Sequence, residues 1–317
     1  MTARTTIGTS DLEIAPLALG GNVFGWTADR DASFEVLDAF VSGGGDFIDT
    51  ADGYSHWVPG NTGGESETII GEWFAARGTR DRVTIATKVS THPDFAGLAP
   101  ANVRAAADAS LQRLGTDRID LYYAHYDDAE TPLAETVAAF SALVDAGKVR
   151  AIGVSNYTAD RVDEWLRIAD EGGYHAPVAL QPHYNLVERD FERNGLRDSA
   201  ERGELAVFPY YSLAKGFLAG KYREESDATA AGASTRAEGA AVYLDDRGRE
   251  VLAALDEIAA AHGAEVTTVS LAWLRQQLTV TAPIASARNT EQLPALLASL
   301  ELELNPAELA ALTAASA

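Results

Sequence analysis

Short apolar runs of about five residues alternate with amphipathic stretches of ten or more along almost the whole chain, and this rhythm limits the fold more than any other feature. The sequence predicts strands at Leu17–Gly21, Phe47–Asp49, Val83–Lys88, Ile119–Tyr123, Val149–Val154, Val178–Gln181, Leu205–Tyr210 and Leu278–Ala282. Helical patterns fall between and after them, at Ala32–Ser42, Glu65–Ala76, Pro100–Leu114, Leu133–Ala146, Thr158–Ala169, Glu192–Arg202, Arg247–His262, Val266–Gln277, Thr290–Leu300 and Pro306–Ala315. Apolar strands separated by helices form parallel sheets covered on both faces. Roughly eight such repeats, with no break in composition, predict a single domain over residues 1–317. The fold class is α/β, a closed (β/α)₈ TIM barrel preceded by an N-terminal β-hairpin over Thr5–Ile14; 317 residues are ample for a barrel that takes about 250. The first strand is not followed by G-x-G-x-x-G, which argues against an open dinucleotide-binding sheet. One long segment after the seventh strand, Ala214–Arg247, departs from the rhythm, and loops of that length are usually functional or disordered.

In such a barrel the active site lies at the C-terminal ends of the strands. The polar residues that the sequence puts there are Asp49 and Tyr54 after the second strand, Lys88 after the third and His125 after the fourth. Ser155 and Asn156 follow the fifth strand, Gln181 ends the sixth and Tyr210 the seventh. Taken alone, Phe47–Tyr54 also reads as an ordinary strand-to-loop junction with a packed tyrosine. Lys88 is more informative, because it closes a strand through Ile85-Ala86-Thr87, and a buried ammonium is costly unless it is paired. It either reaches solvent at the rim or pairs with Asp49 and touches Tyr54. Phe24, Trp26, Trp57, His92 and Tyr126 stand in loops after strand ends, as an apolar wall for a substrate or as plain loop packing.

Charge and composition narrow the partners. A formal net charge of −22 opposes binding to nucleic acid phosphates or an anionic membrane. An anionic ligand would have to be met by local donors against that field. The absence of cysteine removes disulfides, thiolate nucleophiles and thiolate metal sites. With no apolar run long enough to span a bilayer and no leader-like start at Met1–Thr5, a cytoplasmic location is expected.

The motifs, in order, are Phe47–Tyr54, Thr87-Lys88, Asp120–His125, Gly153-Val154-Ser155-Asn156-Tyr157, Gln181-Pro182-His183-Tyr184-Asn185, Pro209–Tyr222 and Pro283–Gln292. Together they resemble the aldo-keto reductase superfamily over nearly the whole chain. Leu213–Tyr222 resembles its bacterial branch, which is itself similar to potassium-channel β subunits. The resemblance implies reversible, NADPH-dependent reduction of an aldehyde or ketone, with NAD(H) as the alternative cofactor and a small-molecule carbonyl as the partner. It implies a catalytic tetrad of Asp49, Tyr54, Lys88 and His125. Chemistry agrees with it: an alkoxide formed by hydride arrival needs a proton, and a phenol with a reference pKa of about 10 carries one at neutral pH. Ser155, Asn156 and Gln181 would meet the carboxamide of the cofactor, and Tyr210 would stack on its ring. Alignment on the commoner Tyr-Ser pair would instead select Tyr211. Leu213, Gly216, Leu218 and Lys221 would surround the pyrophosphate, with backbone N–H groups near Gly216 and Leu218 as donors. Ser286, Arg288 and Gln292 would hold the adenosine phosphate, and Arg288 favours NADP. Leu296 and Ser286 depart from residues common in the family. A metal-dependent hydrolase using Asp49, Asp52, His125 and His183 is opposed by the cation at Lys88, and no metal site is expected. A cofactor-sensing binding module remains distinguishable by turnover.

Overall fold

The computed structural model describes residues 4–224, 226–227 and 237–317. Strands β1 (Thr5–Thr6) and β2 (Glu13–Ile14) pair antiparallel as the expected hairpin. The barrel strands are β3 (Ala18–Gly20), β4 (Phe47–Asp49), β5 (Thr84–Val89), β8 (Ile119–Ala124), β9 (Val149–Ser155), β10 (Pro177–Gln181), β11 (Ala206–Val207) and β12 (Ile284–Ala285). A small antiparallel hairpin, β6 (Thr91–His92) and β7 (Phe95–Ala96), follows β5. The eight strands are parallel neighbours in the order β11-β10-β9-β8-β5-β4-β3-β12. Val207 of β11 bridges Val280, the Thr281 amide donates to the Val207 carbonyl at 2.8 Å, and the Ile284 amide donates to the Pro209 carbonyl at 3.0 Å. These bonds join the two ends of the sheet and make it a (β/α)₈ barrel.

Side-chain alternation explains both layers of the core. In β5, Ile85 and Val89 face outward into the shell beneath the helices, while Ala86 faces inward. Phe47, Ala86, Leu121, Ala151, Ala179, Ala206 and Phe208 make an apolar interior, closed from below by Ile7, Leu12 and Ile14 of the hairpin. Gly8, at φ +51°, lets the hairpin press that close: a Cβ there would stand 2.3 Å from the Val178 carbonyl oxygen. Two residues further along the strands the inward position turns polar: Asp49 after Phe47, Lys88 after Ala86, Gln181 after Ala179, and Tyr210 after Phe208. The polarity of the barrel's upper end is thus written at the same period of two as its floor.

Helices α1 (Arg30–Ser42), α2 (Glu65–Arg77), α3 (Pro100–Leu114), α4 (Leu133–Asp145), α5 (Ala159–Gly172) and α6 (Leu196–Arg202) follow in chain order. Asp29 caps α1 through the Ala32 amide at 2.9 Å, and Asn305 and Glu308 form a reciprocal capping box on Pro306–Ala315. No helix among the described residues is long and apolar enough to cross a membrane.

Several element boundaries differ from the sequence reading. The eighth strand lies at Ile284–Ala285, not Leu278–Ala282. Leu278 is 74 % exposed and Thr279 sits at φ +70°, so this alternating Leu-Thr-Val-Thr run is the turn that delivers the strand. The expected helix Glu192–Arg202 begins only at Leu196, because Gly195 at φ +88° interrupts it. Thr290–Leu300 likewise splits into a 3₁₀ turn at Thr290–Gln292 and a helix at Leu293–Ala298. Within Ala214–Arg247 the chain forms a 3₁₀ segment, Ala214–Ala219, and a short helix, Ala237–Ala241, while residues 225 and 228–236 of that segment lie outside the described residues.

Candidate active site

Strand β5 runs between β4 and β8, which brings Lys88 beside Asp49 and below His125 and the loop carrying Tyr54. The Lys88 ammonium is 0 % exposed. Its Nζ donates to Asp49 Oδ2 at 2.7 Å, the Thr50 carbonyl at 2.7 Å and Tyr54 Oη at 3.0 Å. An ammonium has three N–H groups, so each finds one acceptor. Burial lowers the proton affinity of Lys88, and the Asp49 charge pushes it back up. The second oxygen of Asp49, Oδ1, accepts from Gln181 Nε2 at 2.9 Å. The carboxylate is held from both sides.

His125 hangs from β8 by its amide, which donates to the Val89 carbonyl at 3.0 Å. Its ring centroid is 6.0 Å from that of Tyr54, and its Nδ1 faces Thr91 Oγ1 at 3.4 Å. Burial, with the Lys88 charge adding to it, holds this imidazole well below its ordinary pKa, so it is neutral at neutral pH. A neutral imidazole beside a phenol can polarise a carbonyl oxygen without competing as an acid.

A second layer of charge lies behind β5. Glu67 of α2 is buried, accepts from Thr87 Oγ1, and pairs with Arg113 Nε of α3 at 2.7 Å. Asp52 is also fully buried, and among the described residues neither of its carboxylate oxygens has a well-formed hydrogen-bond partner, the Gly53 amide alone acting on it as a donor. Lys88 is matched by Asp49 and Arg113 by Glu67, so among the described residues neither makes an ion pair with Asp52, although both charges act on it from a distance. Burial first, and then the Glu67 charge, raises its pKa well above the ordinary carboxylate value.

A cleft of about 1420 Å³ opens over these groups. Among its walls are Asp49, Tyr54, His125, Ser155, Asn156, Gln181, Tyr210, Leu213, Gly216, Lys221, Ser286, Arg288 and Gln292, all expected from the sequence. Ser155 Oγ donates to the Gln181 carbonyl at 2.9 Å, and Asn156 Nδ2 donates to the His125 carbonyl at 2.8 Å. Asn156 Oδ1 accepts from the Tyr210 hydroxyl at 2.8 Å. Tyr210 is therefore tied into the polar ring of the barrel mouth, whereas Tyr211 is partly exposed at φ +52°. At the far end, Ser286 Oγ donates to Asn22 Oδ1 at 2.7 Å, and Gln292 Oε1 accepts from the Arg288 amide at 2.9 Å.

Lys221 and Arg288 share this end of the cleft, while Lys215 lines it beside Tyr211, 5.4 Å from that ring, and none of the three makes an ion pair among the described residues. Burial, together with the nearby Arg288 charge, lowers the Lys221 pKa. Clustered cations without acid partners, in a chain of net charge −22, fit an anionic group such as a dinucleotide phosphate.

Three assignments change. Phe24 is not in the cleft: its ring is fully buried in the outer core, and Ser55 Oγ fixes its carbonyl at 2.8 Å, so the loop turns the ring away from the mouth. His92 is buried in the β6–β7 hairpin, where its Nδ1 accepts from the Asp94 amide at 3.0 Å. Leu218 is also buried outside the cleft, and the amides of Gly216 and Leu218 both donate to the Leu213 carbonyl, at 2.8 and 3.2 Å. In this conformation those donors close the loop on itself. Trp26, Trp57 and Tyr126 do line the cleft. The sequence reading missed Asn22, although it follows the glycines ending β3 and the strand-end rule reaches it. It also missed Lys215, which lies within the Leu213–Tyr222 motif and is placed by left-handed backbone at Ala214, Lys215 and Gly216. The grouping of Asp49, Asp52, His125 and His183 for a metal does not form: Asp52 is buried beside Glu67, and His183 stacks on Tyr210.

With this geometry in view, the comparisons are direct. Residues 16–317 match the model of the aldo/keto reductase family, and the chain belongs to that family. It is thus an NAD(P)-dependent oxidoreductase of the class that acts on small-molecule carbonyls. Among its relatives, Aldo-keto reductase YhdN of Bacillus subtilis (strain 168) is 34 % identical over 93 % of this chain and 86 % of its own length. Protein tas of Escherichia coli (strain K12) is 33 % identical over 96 % of this chain and 95 % of its own. Aryl-alcohol dehydrogenase [NADP(+)] of Phanerodontia chrysosporium is 31 % identical over 94 % of this chain and 81 % of its own.

The uncompensated acid yields a prediction. Because the folded pKa of Asp52 is raised above its unfolded value near 3.9, folding retains a proton that the unfolded chain loses as pH rises, so stability falls with pH. Asp52→Asn removes that cost. Its melting temperature is expected to exceed that of the wild type at pH 7–8, with the gap closing as pH falls toward 4. A variant less stable than wild type at pH 8 would mean that Asp52 is ionised and paired.

Proposed function

We propose that this protein uses NADPH to reduce an aryl aldehyde or ketone to its alcohol, reversibly, with the whole chain serving as one catalytic domain. The observation that carries the reading is the Lys88 ammonium, which bonds Asp49 and Tyr54 together on the floor of the cleft. A bound nicotinamide would supply hydride to the carbonyl carbon. Tyr54 gives its phenolic proton to the oxygen in reduction and takes it back in oxidation. Lys88, 3.0 Å away, stabilises the phenolate left behind. Asp49 keeps Lys88 charged and aimed. Neutral His125 donates to the carbonyl oxygen and fixes its place beside the phenol.

Asn156 and Ser155 would meet the carboxamide. Gln181, whose Nε2 bonds Asp49, would offer its Oε1 to the same carboxamide. Tyr210 would carry the nicotinamide ring. Lys221 and Arg288, which make no ion pair among the described residues, favour the extra phosphate of NADP over NAD, in keeping with the cofactor in the name of the Phanerodontia chrysosporium relative. On the substrate side, Trp57 meets Trp26 edge-on at 5.6 Å and lies 6.3 Å from Tyr54, while Tyr126 packs on His125 at 5.0 Å. Trp57 and Tyr126 are 46 % and 48 % exposed and face the cleft. The uncharged aromatic walls of Trp26, Trp57 and Tyr126 favour a flat apolar ring in the substrate, and the name of that same relative points the same way.

The test is NADPH oxidation with benzaldehydes and aryl ketones, followed by absorbance. Tyr54→Phe is expected to bind NADPH as wild type does and to lose about 10²–10⁴-fold in kcat; wild-type turnover would remove Tyr54 from the mechanism. Arg288→Ala is expected to weaken NADPH at least tenfold more than NADH in fluorescence titration. Equal losses would make Arg288 a structural residue.

A further inference from the structure

His183 stands two residues beyond the end of β10 and lies flat on Tyr210, with ring centroids 5.2 Å apart and planes within 15°. The contact is built into the barrel. His183 and Tyr210 bridge in parallel, and the Tyr210 amide donates to the Pro182 carbonyl at 2.9 Å. Tyr210 lines the cleft and His183 does not, so the imidazole covers the face of the phenol ring turned away from the cleft. The Tyr210 hydroxyl is fixed on Asn156 Oδ1, and Tyr211 meets Tyr210 edge-on at 5.3 Å. The ring is held at its hydroxyl by Asn156 and packed by His183 and Tyr211, and it lines the cleft.

We propose that His183 is a positioning residue for the reaction: it sets the plane of Tyr210 and, through it, the plane in which the nicotinamide is held. This rests on the reading that the cofactor stacks on Tyr210. A flat ring at that distance resists rotation of the Tyr210 side chain about its long axis, which the hydroxyl bond to Asn156 alone does not prevent. The imidazole supplies a face for this purpose. Burial first, with Lys215 adding to it, lowers its pKa, while Glu188 and Asp190 act in the opposite sense. The neutral ring stacks without placing a charge behind the nicotinamide.

Aromatic pairs contribute about 0.5–1.5 kcal/mol beyond burial, which corresponds to roughly 2–12-fold in an equilibrium constant. NADPH affinity, by fluorescence titration, and kcat and KM for each substrate are measured on wild type, His183→Ala, His183→Phe, Tyr210→Ala and the double variant His183→Ala/Tyr210→Ala. His183→Ala is expected to weaken NADPH about 3–10-fold and to raise its KM in step, with the carbonyl KM unchanged. His183→Phe, which keeps a flat ring, restores wild-type affinity to within about twofold. In the Tyr210→Ala background, His183→Ala adds no further loss, because the ring it supports is gone. If the alanine variant does not fold, His183→Leu, which fills the space without a ring, takes its place and is expected to show the same loss. Wild-type affinity in the Ala or Leu variant, an equal loss in the Phe variant, or losses that multiply in the double variant would each overturn the proposal. If instead the wild type binds NADPH and Tyr210→Ala does not weaken it, the stacking reading itself falls, and the proposal with it.

Discussion

The ion pair between Lys88 and Asp49 is the interaction on which the rest of the site depends. Two full charges lie inside a barrel, out of water, and removing either one leaves the other uncompensated at a cost of about 3–5 kcal/mol. The fold meets this cost by giving every donor of Lys88 an acceptor and both oxygens of Asp49 a donor. One of the three Lys88 acceptors is the phenol of Tyr54. The pair that stabilises the barrel mouth therefore also sets the electrostatics of Tyr54, the phenol proposed to exchange a proton with a carbonyl oxygen.

Barrel geometry makes this economical in residues. Asp49, Lys88 and Gln181 come from three strands at the same height, and each is the inward position two residues past an apolar one. Ser155, Asn156 and Tyr210 extend the polar ring around the mouth, and their bonds to one another fix the side chains before any ligand arrives. Behind β5, the Glu67–Arg113 pair is charge-balanced, and burial resists ionisation of Asp52, so that neither favours further negative charge near Lys88. Lys221 and Arg288, without acid partners among the described residues, stand together along the cleft, and Trp26, Trp57 and Tyr126 gather over Tyr54 and His125.

Much of this was legible in the sequence for a physical reason. Barrel strands alternate with helices at a period that composition reveals, and a lysine closing an apolar strand has few stable fates, so Lys88 pointed to Asp49 and Tyr54. Phe24 stayed open between cleft wall and packing because an aromatic residue after a strand end is compatible with either; its carbonyl is held by Ser55 from another loop and its ring joins the core. The eighth strand was misplaced because Leu278–Ala282 has strand-like alternation, yet closure of the ring needs the register that Ile284 and Ala285 share with Ala18 and Leu19. The donors of Gly216 and Leu218 were assigned outward, whereas the left-handed run at Ala214–Gly216 folds them onto Leu213. Backbone hydrogen bonding inside an irregular loop has no pattern in composition.

The central claim is that the Lys88 charge tunes Tyr54, and the most direct measurement is kcat/KM against pH, in reduction and in oxidation, for wild type and Lys88→Met. Removing the ammonium raises the proton affinity of the phenol. Oxidation needs the phenolate and reduction needs the phenol. The account predicts that the oxidation limb moves to higher pH by about one unit or more, each unit corresponding to about 1.36 kcal/mol, while residual reduction persists into more alkaline buffer. Measurable activity in a folded variant whose profiles superimpose on those of wild type would contradict it.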